Sequence, residues 1–123
     1  MTKNNHKVFS IGYGKVKKVK IGKYNPLVFI GGPCAIESRD HSLKMANRIK
    51  KICRKLKIQF IFKSCYNKDS RSSPESFNGV GIDEGLNILN DVRNNIGVPV
   101  VADFSDPSWA KPTAEVVDLL QIP

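Results

Sequence analysis

The chain of 123 residues is 41% hydrophobic and 25% charged, with a net charge of +9. That is one domain's worth of ordinary globular sequence, which excludes wholesale disorder. No apolar run approaches the ~20 residues of a membrane helix. Met1 to Ser10 hold no apolar stretch ahead of a small-residue cleavage site, and Cys34, Cys53 and Cys65 have no CxxC spacing, so neither a disulfide framework nor a self-contained zinc knuckle fits.

A reducing, cytoplasmic setting is expected. The charge is uneven: residues 1–68 hold 17 Lys and Arg against 2 Asp and Glu, and residues 69–123 hold 3 against 9. Such asymmetry raises nucleic acid or acidic lipid as a partner. However, lysines such as Lys50, Lys51, Lys55 and Lys57 sit between apolar residues at surface spacing, and no aromatic residues interleave with them for base stacking. No nucleic-acid partner and no membrane partner are expected.

Val8 to Ile11 and Val16 to Ile21 flank Gly12-Tyr13-Gly14. Glycine between two β-rich runs predicts a hairpin over about 7–21. The β/α units start at about residue 27. Leu27 to Ile30 is a continuous apolar run ending at Gly31-Gly32-Pro33, as expected of a strand buried on both faces. Ser38, Asp40 and Ser42 are candidate N-caps for a helix whose apolar stripe is Ala46, Ile49, Ile52, Cys53 and Leu56. Ile58 to Phe62 reads as a second core strand. A long polar loop follows, from Lys63 to about Ile82; a loop of that length points to function.

Asp83 and Glu84 suit the N-terminal dipole of a second helix, with Leu86, Leu89, Val92 and Ile96 as its stripe and Gly97 as its C′ residue. Pro99 to Ala102 is the third core strand, ending at Asp103. Pro107 opens a short helix towards Val117, and Leu119 begins a fourth strand. The β-α alternation predicts a parallel sheet. Two architectures satisfy it: an open doubly wound sheet, or part of a (β/α)₈ barrel, which needs about 250 residues.

In α/β proteins the ligand site lies at the carboxyl ends of the strands. Here those ends carry Gly31 to Ser38, then Lys63 to Ser73, then Asp103 to Asp106, then Gln121. A thiol, three cations, several hydroxyls and an acid thus converge on one rim. Lys offers a point charge, and Arg a fork, for phosphate or carboxylate oxygens. Cys34 is either a small buried hydrophobe or a thiolate ligand to a divalent metal, which would need two or three more ligands. Cys53 falls on the apolar stripe, and Cys65 has no assigned role.

These rim segments resemble those of the 3-deoxy-D-manno-octulosonate 8-phosphate synthase family. The resemblance runs from about Lys7 to Pro123. GPCAIES resembles that family's first strand end, and the related 3-deoxy-D-arabino-heptulosonate 7-phosphate synthases share it. FKSCYNKDSRSSPESFNGVGIDEGL resembles the octulosonate pattern of Phe-Lys, a second Lys five residues on, Arg-Ser-Ser, Gly-x-Gly and Glu-Gly-Leu. DLLQIP resembles its fourth strand.

The resemblance implies an α/β fold, the N-terminal half of a (β/α)₈ TIM barrel preceded by a β-hairpin. It implies a cytoplasmic homotetramer that condenses phosphoenolpyruvate with arabinose 5-phosphate and water, for the core of lipopolysaccharide. By that resemblance Lys63 and Lys68 hold phosphoenolpyruvate, and Gln121 lies near it. Arg71 and Ser72 grip the sugar phosphate. Lys68 and Asp103 are the catalytic pair, and Cys34 marks the metal-dependent class, with a divalent metal as cofactor.

The sequence departs from the family at Asp69 and Ser70, where Ala-Asn is common, at Ser105 in place of His, and at Asn78 in place of Arg. The family's remaining metal ligands belong to the later half of the barrel. A heptulosonate synthase, a non-catalytic half barrel and a basic nucleic-acid binder are the competing readings. Residues 1–123 alone are expected to be a truncated synthase domain, inactive and poorly soluble, because the apolar strand Leu119 to Ile122 would end the sheet.

Overall fold

The computed structural model describes residues 7–66 and 79–123. Two sheets organise them. β1 (Phe9–Ile11) and β2 (Val19–Ile21) form an antiparallel ribbon, with Ser10 opposite Lys20. β3 (Val28–Gly31), β4 (Gln59–Lys63), β5 (Val100–Asp103) and β6 (Leu119–Gln121) form a parallel sheet in that order. α1 (Arg39–Leu56) links β3 to β4, and α2 (Ile82–Ile96) precedes β5. A 3₁₀ turn at Pro107–Trp109 and α3 (Ala110–Ala114) lead into β6. The expected α/β class with a parallel sheet is what the chain adopts.

Local chemistry sets the helix ends. Of the three candidate caps for α1, Ser38 is the one used: its hydroxyl accepts from the His41 amide at 3.1 Å, satisfying an otherwise orphaned donor. Lys57 closes α1 in a left-handed conformation, with φ 57°. Gly97 closes α2 in the same way, its amide bonded to the Arg93 carbonyl. α2 begins at Ile82, one residue before the expected acidic start.

The period of two along each strand sorts side chains between the faces of the sheet. Phe60 and Phe62 of β4, with Val100 and Ala102 of β5, join the main core under α1 and α2. Ile61 and Val101 point the other way and pack with Val19 of the ribbon, flanked by Ile11, Ile21, Val28 and Leu119. The ribbon therefore covers the second face of the sheet. Gln59 fastens it there: its amide oxygen accepts from the Lys20 amide at 2.7 Å, and its amide nitrogen donates to the Lys20 and Pro26 carbonyls.

Three sequence expectations are corrected. β3 is not buried on both faces: Leu27 is 73% exposed and Phe29 45%. Among the described residues β3 pairs only with β4, which leaves its other side without a strand partner there. Ile52 and Leu56 on the supposed stripe of α1 are also exposed, whereas Ala46 and Cys53 are buried. α1 packs against α2 and β4 through a narrower stripe than the apolar pattern suggested. Finally, Ser64, Cys65 and Tyr66, the first residues of the expected polar loop after Lys63, are packed inside. All three are buried, and the Tyr66 hydroxyl shares a 2.8 Å hydrogen bond with that of Thr113. None of the described helices is long and apolar enough to cross a membrane.

Candidate functional site

The site is built on strand ends. Lys63 is the last residue of β4, Asp103 of β5 and Gln121 of β6. Register places Lys63 beside Val101 and Asp103 beside Gln121. Because Ile61, Val101 and Leu119 belong to the ribbon-side face, period two assigns Lys63, Asp103 and Gln121 to that same face. The ribbon meets this face nearer the amino ends of the strands, at Gln59. The three polar side chains lie at the other end, each half-buried.

The loop after β3 is held against β4 by backbone bonds. The Cys65 amide donates to the Cys34 carbonyl at 3.1 Å, and the Ile36 amide donates to the Cys65 carbonyl at 2.9 Å. Ala35 and Cys65 thus form a parallel bridge beyond the regular strands. The Ser64 hydroxyl adds a bond to the Pro33 carbonyl at 2.7 Å. Gly32 makes the approach possible, since a Cβ there would lie 2.1 Å from the Lys63 carbonyl oxygen. A second glycine performs the same service below: a Cβ on Gly85 would meet the Tyr66 Cβ at 2.1 Å. The glycines of the GGPC and EGL segments are therefore packing requirements of the strand end that carries Lys63 and Cys65.

Cys65, unassigned from sequence, proves to be part of the cluster. Its thiol donates to the Asp103 carboxylate. Burial raises the Cys65 pKa to about 12, and the hydrogen bond to Asp103 and that residue's charge add to the rise. The thiol is thus a proton donor at neutral pH, and it fixes one oxygen of Asp103. A signal for this was present: Cys65 lies two residues after Lys63, hence on the same face.

Cys34 is exposed at the rim, one strand away. A divalent metal with thiolate affinity needs three or four ligands. Among the described residues no three His, Cys, Asp or Glu side chains lie close enough to hold one. Cys34 is a single potential donor, and Cys65 is turned to Asp103. The described residues do not fit a metal centre by themselves. Lys68, Arg71 and Ser72, expected at the substrate site, lie outside the described residues, as do the Asp69, Ser70 and Asn78 departures. Ser105 is exposed just beyond β5.

What the described cluster can do chemically is limited and specific. It presents one ammonium, one carboxylate oriented by a thiol donor, and one carboxamide on a shared surface. An anion could be drawn to Lys63, a hydroxyl could donate to Asp103, and Gln121 could donate or accept.

The chain matches the DAHP synthetase I family over residues 3–123. It is 49% identical over 106 residues to a 2-dehydro-3-deoxyphosphooctonate aldolase of a Synechococcus species, covering 86% of this chain and 37% of the relative. Another of that name, from Bordetella petrii, is 50% identical over 103 residues, 84% of this chain and 36% of the relative. A third, from Rickettsia rickettsii, is 46% identical over 109 residues, 89% of this chain and 40% of the relative. The chain thus spans well under half the length of these curated relatives.

Proposed function

Because the chain belongs to the DAHP synthetase I family, we propose that it carries the phosphoenolpyruvate side of a synthase making 3-deoxy-D-manno-octulosonate 8-phosphate. The substrates are phosphoenolpyruvate, D-arabinose 5-phosphate and water, and inorganic phosphate is the second product. The observation that carries this reading is the placement of Lys63, Asp103 and Gln121 on one face at the carboxyl ends of adjacent parallel strands. The names of the relatives support the eight-carbon product over the seven-carbon one.

The chemistry follows from the substrates. C3 of the enol attacks the sugar aldehyde, forming the new carbon–carbon bond, and water adds at C2 as positive charge develops there. Lys63 holds an anionic group of phosphoenolpyruvate, and Lys68 is its proposed second cation. Such charges act strongly where water is excluded. Asp103, with one oxygen occupied by Cys65, has its other oxygen free to orient a hydroxyl of the sugar or the attacking water. Gln121 flanks phosphoenolpyruvate, and Arg71 and Ser72 take the sugar phosphate. Cys34 is the proposed thiolate donor to a divalent metal whose other ligands lie outside the described residues.

In this reading the four parallel strands are about half the wall of a (β/α)₈ barrel, the β1–β2 ribbon precedes it, and residues 1–123 are part of one synthase domain. A homotetramer in the cytoplasm, supplying lipopolysaccharide synthesis, completes the proposal.

The test is phosphate release from phosphoenolpyruvate by the protein containing this chain. Release should depend on arabinose 5-phosphate, and Lys63→Ala should lower it by roughly tenfold or more through loss of one charge contact. The seven-carbon reading needs a four-carbon sugar phosphate, since phosphoenolpyruvate supplies three carbons. Preference for that sugar would establish the heptulosonate synthase instead, and release insensitive to Lys63→Ala would remove Lys63 from the site.

A further inference from the structure

At the amino ends of the strands, opposite the rim that carries Lys63 and Asp103, lies a cavity of about 290 Å³. Its walls come from the segment before β2, from the last turns of α1 and from the start of β4. Phe60, Ile58, Cys53 and Val98 supply apolar surface. Lys17, Lys18, Lys50, Arg54 and Lys57 supply charge, and no acidic residue lines the cavity.

Lys50 is engaged, donating to the Ile96 carbonyl at 2.7 Å. The other four cations make no ion pair with any described carboxylate. Lys50, Arg54 and Lys57 follow the spacing i, i+4, i+7 and so stand on one side of α1 and its cap. Like charges at that spacing repel. The negative end of the α1 dipole favours cations close to it, but Lys17 and Lys18 come from a different segment and owe nothing to that helix. Lys57 occupies the left-handed cap position that ends α1, φ 57°, where glycine is the unstrained choice.

We propose that this cavity binds a small organic anion with an apolar body, such as an aryl phosphate. The cations would meet the anionic head, and Phe60 and its neighbours would meet the body. A volume near the lower end for ligand clefts, which is about 300 Å³, selects a molecule the size of a substituted benzene and not a polymer. The site is separate from the proposed catalytic rim, so neither reading depends on the other.

The experiment titrates the protein containing this chain with phenyl phosphate and, separately, with inorganic phosphate, following backbone amide resonances. Phenyl phosphate should shift the amides of Val19, Lys57 and Ile58 saturably, and inorganic phosphate should bind at least about tenfold more weakly for want of apolar contact. Lys57→Gly is the informative variant, because it removes a cation while relieving the strained backbone, and its fold should survive. Combined with Arg54→Gln it should weaken phenyl phosphate binding by roughly tenfold or more. Equal affinity for the two anions, undiminished binding by the double variant, or shifts spread over every lysine-bearing face would each overturn the proposal.

Discussion

The Cys65 thiol donates to the Asp103 carboxylate across β4 and β5. The two residues sit at adjacent strand ends, and the sheet register brings them together although they lie 38 positions apart. One oxygen of Asp103 is thereby engaged by the thiol. Cys65→Ala should leave the half-buried carboxylate without this donor, costing about 1–3 kcal/mol in urea unfolding, as for hydrogen bonds to charged groups. Cys65→Ser keeps a donor and should recover most of that loss. Equal destabilisation by both variants would show that the thiol acts through packing alone.

Gly32 and Lys63 make a second prediction. With the Lys63 carbonyl oxygen 2.1 Å from any added Cβ, Gly32→Ala must push the rim loop away from β4. Overpacking of this kind costs about 1–3 kcal/mol. Hydrogen exchange should then show lost protection at the Cys65 and Ile36 amides, which bond across this junction. Unaltered protection would mean that the loop accommodates the methyl group without moving.

Asp118 is the buried partner of Arg93, with side-chain exposures of 0% and 6%. Its carboxylate also accepts from the amides of Tyr13 and Val100, and the Arg93 guanidinium lies 3.5 Å from the centre of the Tyr13 ring. Asp118→Ala strands a buried cation and should destabilise by about 3–5 kcal/mol. The ribbon should loosen as well, because the Tyr13 turn is held there. A loss below about 1 kcal/mol in thermal or urea unfolding would place Arg93 in water.

Asp106 caps the 3₁₀ turn, accepting from the amide and the hydroxyl of Ser108. The bond from the Ser108 amide, then that from its hydroxyl, lowers the Asp106 pKa. A lowered folded-state pKa gives stability that is complete above the unfolded value, about 3.9, and is lost as pH falls through the folded one. The contribution of this cap should therefore be flat from neutrality down to about pH 4 and decline below it. Asp106→Asn keeps an acceptor without titrating, so the difference between variant and parent should be constant from neutrality down to about pH 4 and change only in that acidic window. A difference already varying between pH 5 and 7 would contradict the assignment.

The sequence by itself determined the order of elements and where the chemistry-bearing residues fall along the chain. Ser38 and Gly97 are local stop and start signals that work through backbone groups within a few residues. The strand ends at Lys63, Asp103 and Gln121 follow from short β-rich runs meeting polar residues. The motif resemblance, in turn, identified the family from the linear text.

Tertiary structure alone decided which apolar runs are buried. β3 and β4 read alike in sequence, yet among the described residues β3 has a strand on one side and β4 has one on both. It also decided the role of Cys65, the clearance demanded by Gly32 and Gly85, and the fastening of the Tyr13 turn to Asp118 across 105 positions. The cations around the cavity at the amino ends looked like a solvated surface in the sequence, because Lys17 and Lys57 line one cavity only when the ribbon folds onto the sheet beside α1. The division has a physical cause. Caps and periodicity act between neighbours in the chain, whereas burial, register and close approach depend on partners that no local pattern names.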